Sequence, residues 1–482
     1  MNYRLGLIGT LYGCLIVAAV STQVFGESIF IDPRGVEAKT APDPSQYWQP
    51  DRALPEVTAP PRVEQPSDKA PLTLPELTEF ALRNNPKTRQ AWFAARAAAA
   101  GVAIEQADLL PQVTANIGVT RSLPVSATTG SPAPWISRYG PTVNLGYVLF
   151  DFGVRANQVD AAEYRLLAAN LTQNRTLQDV VFQVEQAYYR LLGVDALVRV
   201  NVLSLNNIKT AYEAAQKRRE SGLATVADVY RVETQVAQAQ LNLTRSRGEF
   251  EKARGQLAAA VGLPVNRTLN VQTLSSPPQI HQIEKSIADL LERAKASRPD
   301  LVAAEAQARA ARASADAAAK AGLPTLEIAG TAGRTAFQDS RPIVNNYALG
   351  LNLRIPLFTG FRDTYSARQA EAQAAQAQAA RDALFQQTEL DVWQSYYDLQ
   401  TAAGGIGSTE AQVKSAEQTA QATLARYKSG FGSILDLTTA QQDESNARVQ
   451  RVQSYLDWFI ALARLNFSIG AGNILAAAGD EK

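Results

Sequence analysis

The sequence predicts a mainly α-helical chain with a transmembrane β-barrel part. Its strand and long-helix unit is duplicated, and three chains together make a 12-stranded barrel continued by a periplasmic α-helical barrel. Three observations carry this: landmarks that recur at a nearly constant offset, four segments with a barrel-strand pattern, and helical hairpins far longer than a globular core needs. The recurring landmarks are Asn84-Asn85-Pro86 with Ser297-Arg298-Pro299, Leu110-Pro111 with Leu323-Pro324, Gly153 with Gly360, Tyr188-Tyr189 with Tyr396-Tyr397, Ser221-Gly222 with Ser429-Gly430, and Asp228 with Asp436, all 207–213 positions apart. Such self-similarity marks an internal repeat.

From the N-terminus, Arg4 and the apolar run Leu5 to Val20, followed by Val24-Phe25-Gly26, read as a secretory signal over 1–26. The run is short of the ~20 residues a spanning helix needs, and no other run is expected to span as a helix. Leu11-Tyr12-Gly13-Cys14 partly matches a lipid-attachment signal, with Tyr12 bulky where a small residue is wanted. An arm over 27–71 follows; nine prolines between Ala41 and Pro75 make it extended and coreless. The first repeat covers 72–270, with strands at 111–121 and 141–150 and a helical hairpin over 154–262. A linker at 271–282 leads to the second repeat, 283–470, with strands at 324–334 and 346–357 and a hairpin over 361–470. A tail spans 471–482.

Thr73, Pro75 and Glu76 open the first helix as a capping box with proline in the first turn. Residues 154–218 hold no proline and would span roughly 97 Å as one helix. Leu177, Val181, Val184, Tyr188, Leu191, Val198, Val202, Leu205 and Tyr212 follow a 4-3 alternation broken at Asp195 and Lys209, a coiled-coil period. Gly404-Gly405-Ile406-Gly407 predicts a kink or bulge in the second long helix. In the strands, Val113, Ala115, Ile117 and Val119 alternate with Thr114, Asn116, Gly118 and Thr120. Tyr347, Leu349, Leu351 and Leu353 alternate with Ala348, Gly350, Asn352 and Arg354. One face suits lipid and the other water.

Four strands cannot close a barrel, and open edges are not tolerated in lipid. Two chains would give a filled eight-stranded barrel; three leave a lumen, which the small inner residues Gly118, Gly146, Ala348 and Gly350 would not plug. Trp135 and Tyr139 fall in the first strand–strand loop, facing out of the cell. Tyr147, Phe150, Phe152, Phe358 and Phe361 form either an aromatic girdle or packing at the barrel–helix junction.

Composition narrows the chemistry. With 47 Lys+Arg against 46 Asp+Glu there is no basic face to attract nucleic acid. One Cys and one His, His281, leave no zinc cluster and no cysteine–histidine centre. No Gly-rich phosphate loop is present. The expectation is no enzyme, no cofactor and no metal. Asp228 and Asp436 each lie three residues after a hydroxyl residue, Thr225 and Ser433. Both therefore suit helix capping; three copies around an axis would also form an acidic constriction. Tyr427 suits either an apolar seam position or a gate.

These residues resemble the TolC family of outer-membrane efflux proteins, from about Leu72 to Gly470. The likeness rests on Leu72-Thr73-Leu74 leading to Asn84-Asn85-Pro86, on the Leu-Phe-x-x-Gly turns at Leu149 and Leu357, and on Tyr427-x-x-Gly430. It implies a homotrimeric outer-membrane exit duct, closed at a periplasmic tip and docked through a periplasmic adaptor to an inner-membrane transporter. Such ducts serve tripartite efflux or type I secretion. It further implies that Tyr427 and Asp436 are the gating tyrosine and first ring aspartate, with Asp228 the acidic partner. The second ring position holds Thr439, and the family's tip arginine falls at Gly432. Ser221-Gly222-Leu223 and Ser429-Gly430-Phe431 lie where the family meets its adaptor. The rival reading is a secreted coiled-coil scaffold without a pore, which leaves the four strands unexplained.

Overall fold

The computed structural model describes Ser45, residues 71–123, 125, 130, 132, 135–272, 286–338 and 342–471. The chain divides into two units, Met1–Arg62 and Val63–Lys482; all the elements below belong to the second. The expected signal, Cys14, nearly all of the Pro-rich arm, and His281 lie outside the described residues.

Two short helices, α1 (Leu74–Asn84) and α2 (Pro86–Ala107), lead into strands β1 (Gln112–Ser122) and β2 (Ile136–Phe150). The chain then returns through α3 (Val154–Glu220) and α4 (Val226–Val261). The second half repeats this with α5 (Ile287–Ser297), α6 (Pro299–Lys320), β3 (Thr325–Phe337), β4 (Val344–Arg354), α7 (Arg362–Lys428) and α8 (Ile434–Ser468). Helices α3 and α7 are each 67 residues long, or roughly 100 Å at 1.5 Å per residue.

Local chemistry sets the ends. The Thr73–Glu76 capping box forms in both directions, with Thr73 N–H donating to Glu76 Oε2 at 2.8 Å. Asn85 ends α1 and caps α2, its side chain accepting from Lys87 N–H at 2.9 Å. Asp151 accepts from the Gly153 and Arg155 N–H groups, both at 3.1 Å. Arg155 donates to the Val148 and Asp108 carbonyls, both at 2.7 Å. One ion pair thus fixes β2 and the end of α2 at the start of α3.

The strands form one antiparallel meander, β1-β2-β3-β4. Register places Thr114, Asn144, Thr331 and Ala348 in one row, and Thr331 Oγ1 donates to Asn144 Oδ1 at 3.3 Å. Ile117, Val119, Tyr347, Leu349 and Leu351 point the other way and are exposed. β2 begins at Ile136 rather than at 141, so Tyr139 lies in the strand opposite Val119 and not in a loop. Pro141 had suggested a strand boundary. It is accommodated where β2–β3 pairing skips from Tyr139 to Thr142, since a proline cannot donate to the ladder. Gly140 (φ 157) is needed there: a Cβ would lie 1.8 Å from the Arg334 carbonyl oxygen. β4 stops at Arg354 rather than at 357, before Pro356, which removes the next donor. Phe150 pairs edge-on with Phe152 at 4.8 Å and Phe358 with Phe361 at 5.5 Å. All four rings remain exposed.

The helices pack around the pair α3–α8. Tyr189 stacks on Phe459 at 4.5 Å and Phe182 on Phe467 at 4.7 Å. Val180, Val184, Tyr188, Leu191 and Val194 join Leu257, Val392 and Leu465 in the main core. The expected heptad seam does not run straight. Beyond Leu191 the buried positions are Val194, Val200, Leu205, Ile208, Ala211 and Ala215, while Val202 is exposed. The reason is that α3 packs on α4 and α8 at once, so two faces need apolar residues. A stretch of α3 is long and apolar enough, by length and composition, to cross a bilayer, and most of it is not buried within the single chain. α7 is a single helix through Gly404–Gly407, where a kink or bulge was expected, and Ile406 within that stretch is fully buried in the core. At the junction of α5 and α6, buried Arg298 pairs with Asp300 at 2.5 Å and donates to the Ser468 carbonyl at 3.3 Å.

One buried carboxyl is unmatched. Burial on α3 pushes Glu185 up to about 7. Its folded form therefore holds a proton that the unfolded chain releases near pH 4.5, so stability falls as pH rises from there to about 7. Glu185→Gln is expected to leave the melting temperature unchanged near pH 4 and to raise it at pH 8. The gain should be at most about 3 kcal/mol, read by helical circular dichroism at both pH values.

Candidate gate at the helical tips

Both hairpins turn the same way. At the first, Gly222 takes φ +73, and Leu223 N–H donates to the Arg218 carbonyl at 2.8 Å. At the second, Gly430 takes φ +90, and Phe431 N–H donates to the Arg426 carbonyl at 2.9 Å. A left-handed residue just past the last helical turn lets the chain satisfy the final carbonyls and reverse. The turns push Ser221, Leu223, Ser429 and Phe431 into solvent; Phe431 is 81% exposed.

The returning helices are capped. Thr225 Oγ1 accepts from Asp228 N–H at 3.3 Å, and Asp228 Oδ2 accepts from Thr225 N–H at 2.9 Å. These bonds to Thr225 hold the Asp228 carboxyl below its usual range. Ser433 caps α8 by accepting from Asp436 N–H at 3.1 Å. Asp436 and Thr439 stand exposed on α8, while Ile434 and Leu437 of the same turns are buried.

Tyr427 is 2% exposed within a single chain, packed with Ala215, Val229, Val232 and Leu437 between the two hairpins. The Arg218 guanidinium lies 4.6 Å from the centre of its ring, and Arg218 Nη1 donates to the Tyr427 carbonyl at 2.5 Å. Arg218 Nη2 reaches the Leu223 carbonyl at 3.4 Å. Burial raises the Tyr427 hydroxyl, which has no hydrogen-bond partner. The fold thus gathers Tyr427, Asp228 and Arg218 at one end of the helices and leaves Asp436 and Thr439 facing outward. Sequence reasoning missed Arg218. Its only signal was a basic run, Lys217-Arg218-Arg219, just before the Ser221-Gly222 turn. Gly432 has a packing reason: a Cβ there would lie 3.0 Å from the Tyr427 nitrogen. Among the described residues no group of three or more His, Cys, Asp or Glu is placed to hold a metal.

The family model for outer membrane efflux proteins matches residues 77–263 and 290–471, one segment in each repeat. The chain belongs to the outer membrane efflux protein family. Among curated relatives, protein CyaE of Bordetella pertussis is 26% identical over 79% of this chain and 80% of its own length. Outer membrane protein OprJ of Pseudomonas aeruginosa is 26% identical over 83% of this chain and 84% of its own. Among solved structures, the outer membrane protein VceC of Vibrio cholerae superposes with a TM-score of 0.74 at 24% identity. That superposition covers 83% of this chain and 96% of VceC. The efflux family places the chain in the outer membrane, with the strands as its membrane part and the hairpins beneath.

Arg218→Ala removes a charged donor from the Tyr427 carbonyl, a bond class worth about 1.5–3 kcal/mol. Amide exchange at 429–431 is expected to quicken by about tenfold or more, with the exchange of the α3–α8 core near Tyr189 unchanged.

Proposed function

We propose that three copies of this chain form a passive exit duct of a tripartite efflux or type I secretion assembly, gated where the helical hairpins end. The observation that carries this reading is the pair of free sheet edges. β1 and β4 are each 11 residues long and each pairs on one side alone. Unpaired backbone is costly in hydrocarbon, so β4 of one copy must meet β1 of the next. Three copies give about twelve strands, enough for a water-filled lumen.

The duct carries out no chemistry of its own. An inner-membrane transporter supplies the energy, and a periplasmic adaptor binds the exposed tips, with Leu223 and Phe431 as its apolar anchors and Ser221, Gly222, Ser429 and Gly430 shaping the turns. Opening separates the two hairpins where Arg218 and Tyr427 join them. Asp436, with Asp228 beside it and Thr439 one turn on, lines the mouth. Repeated three times, these carboxylates attract cations.

Purified protein in a planar bilayer is expected to give small, mostly closed, cation-selective currents. Asp228→Ala with Asp436→Ala should lower selectivity and relieve block by multivalent cations, and Arg218→Ala should lengthen openings. Unaltered currents in the double variant would reduce both aspartates to helix caps. Failure of a folded, water-soluble protein to insert would favour the poreless scaffold.

A further inference from the structure

The lipid-facing side of the sheet changes character along its length. On the rows nearest the helices it carries apolar and aromatic side chains and glycine, from Leu326 and Leu353 up to Val143, Ala332 and Tyr347. Charged and amide side chains begin only toward the strand ends farthest from the helices. There the same face carries Arg334 and Asn345, then Tyr139, then Arg121. Arg121 lies one residue before the end of β1 and Arg334 three before the end of β3. Both are exposed, and among the described residues no carboxylate shares their face of the sheet.

The helix-proximal end is different. There Arg155 pairs with Asp151 at 2.8 Å and Arg362 with Asp363 at 3.8 Å. An arginine turned toward lipid is costly at mid-depth and tolerated at the interface, where its long stem lets the charge reach the headgroups. Arg121 and Arg334 therefore belong at the headgroup level of the outer leaflet, with their charges left for the lipid to meet.

Their arrangement is regular. Tyr139 of β2 pairs with Val119 of β1 and Ala336 of β3; Arg121 is two positions beyond Val119 and Arg334 two before Ala336. The three side chains form a diagonal line across β3, β2 and β1, with the tyrosine, 48% exposed, between the two cations. Trp135 steadies Arg121, whose guanidinium lies 5.3 Å from the ring centre, a cation–π contact. Aromatic rings with a polar edge favour the headgroup level. Two strand spacings across and four residues along place the two arginine backbones roughly 16 Å apart. That is too far for one phosphate and suits a headgroup with a phosphate at each end.

We propose that this outward rim, with Arg121 and Arg334 flanking Tyr139, binds the headgroup of an outer-leaflet glycolipid that carries two phosphates. Each guanidinium fork matches a pair of phosphate oxygens. The Tyr139 and Trp135 rings lie against the sugar, and exposed Ile117 and Val119 meet the acyl chains. Charge and depth together set the occupant. Basic groups at a membrane surface attract anionic lipid; a zwitterionic lipid brings its own cation to the same place, and a soluble phosphate brings no acyl chain for the apolar rows. The inference rests on the strands being the membrane part and not on the number of copies.

The test uses full-length protein in detergent, stripped of lipid, and hexa-acylated lipid A carrying both phosphates. Bound lipid is counted by native mass spectrometry, and the melting temperature is read alongside. The unsubstituted protein is expected to retain this lipid and to melt higher with it. Lipid A with both phosphates removed should be retained at least tenfold less. Inorganic phosphate at the same concentration should neither raise the melting temperature nor displace the lipid. Arg121→Gln together with Arg334→Gln should lower retention at least tenfold with unchanged helical circular dichroism. Arg138→Gln, on the inner face of β2 beside Ser122, should not. Equal retention of the two lipids would overturn the proposal and leave an apolar girdle, and so would an equal loss in the Arg138 variant. Inorganic phosphate matching the lipid's effect would overturn the lipid as occupant. The comparison of lipids needs no variant, so a poorly folded variant leaves it decisive. Retention by a protein that gives no currents would keep this site and remove the duct reading.

Discussion

Everything in this chain answers to one constraint: in hydrocarbon every backbone N–H and C=O must find a partner inside the protein. The sheet β1-β2-β3-β4 meets that demand in its interior and fails at both edges. Water-soluble sheets blunt such edges with charges, prolines or bulges. β4 instead carries Tyr347, Leu349, Leu351 and Leu353, all exposed. An edge of that composition is complete when another strand lies beside it, which is what the proposed three-copy barrel would supply.

The helices inherit the consequence. A barrel built from repeated chains needs walls in which each hairpin has a neighbour on both sides, and a duplicated chain supplies half of those neighbours internally. The α3–α8 seam is that internal half, with its stacked pairs Tyr189–Phe459 and Phe182–Phe467.

At the tips the balance of forces changes from burial to polar capping. Glycines with positive φ reverse the chain, and hydroxyl–carboxylate boxes start the returning helices. A single arginine crosses from one hairpin to the other. Apolar packing of Tyr427, Ile434 and Leu437 against the first hairpin, the Arg218 bond to the Tyr427 carbonyl and the Gln441 bond to the Asn207 carbonyl hold the hairpins together.

The sequence by itself determined the repeats, the four alternating strands, the capping boxes at Thr73 and Thr225, and the turns at Gly222 and Gly430. Each is a local signal, set by side-chain periodicity or by one residue's conformational freedom. Tertiary structure decided what depends on two distant segments meeting. It carried β2 through Pro141 because the β3 ladder skips that position. It kept α7 helical through its glycines, with Ile406 held in the core. It moved the seam of α3 off a strict heptad because two partners share that helix, and it buried Tyr427 beneath an arginine 209 positions away in the chain. Periodicity shows that a face is apolar; only the packed structure shows which neighbour covers it, because burial is a property of pairs of surfaces and not of one segment.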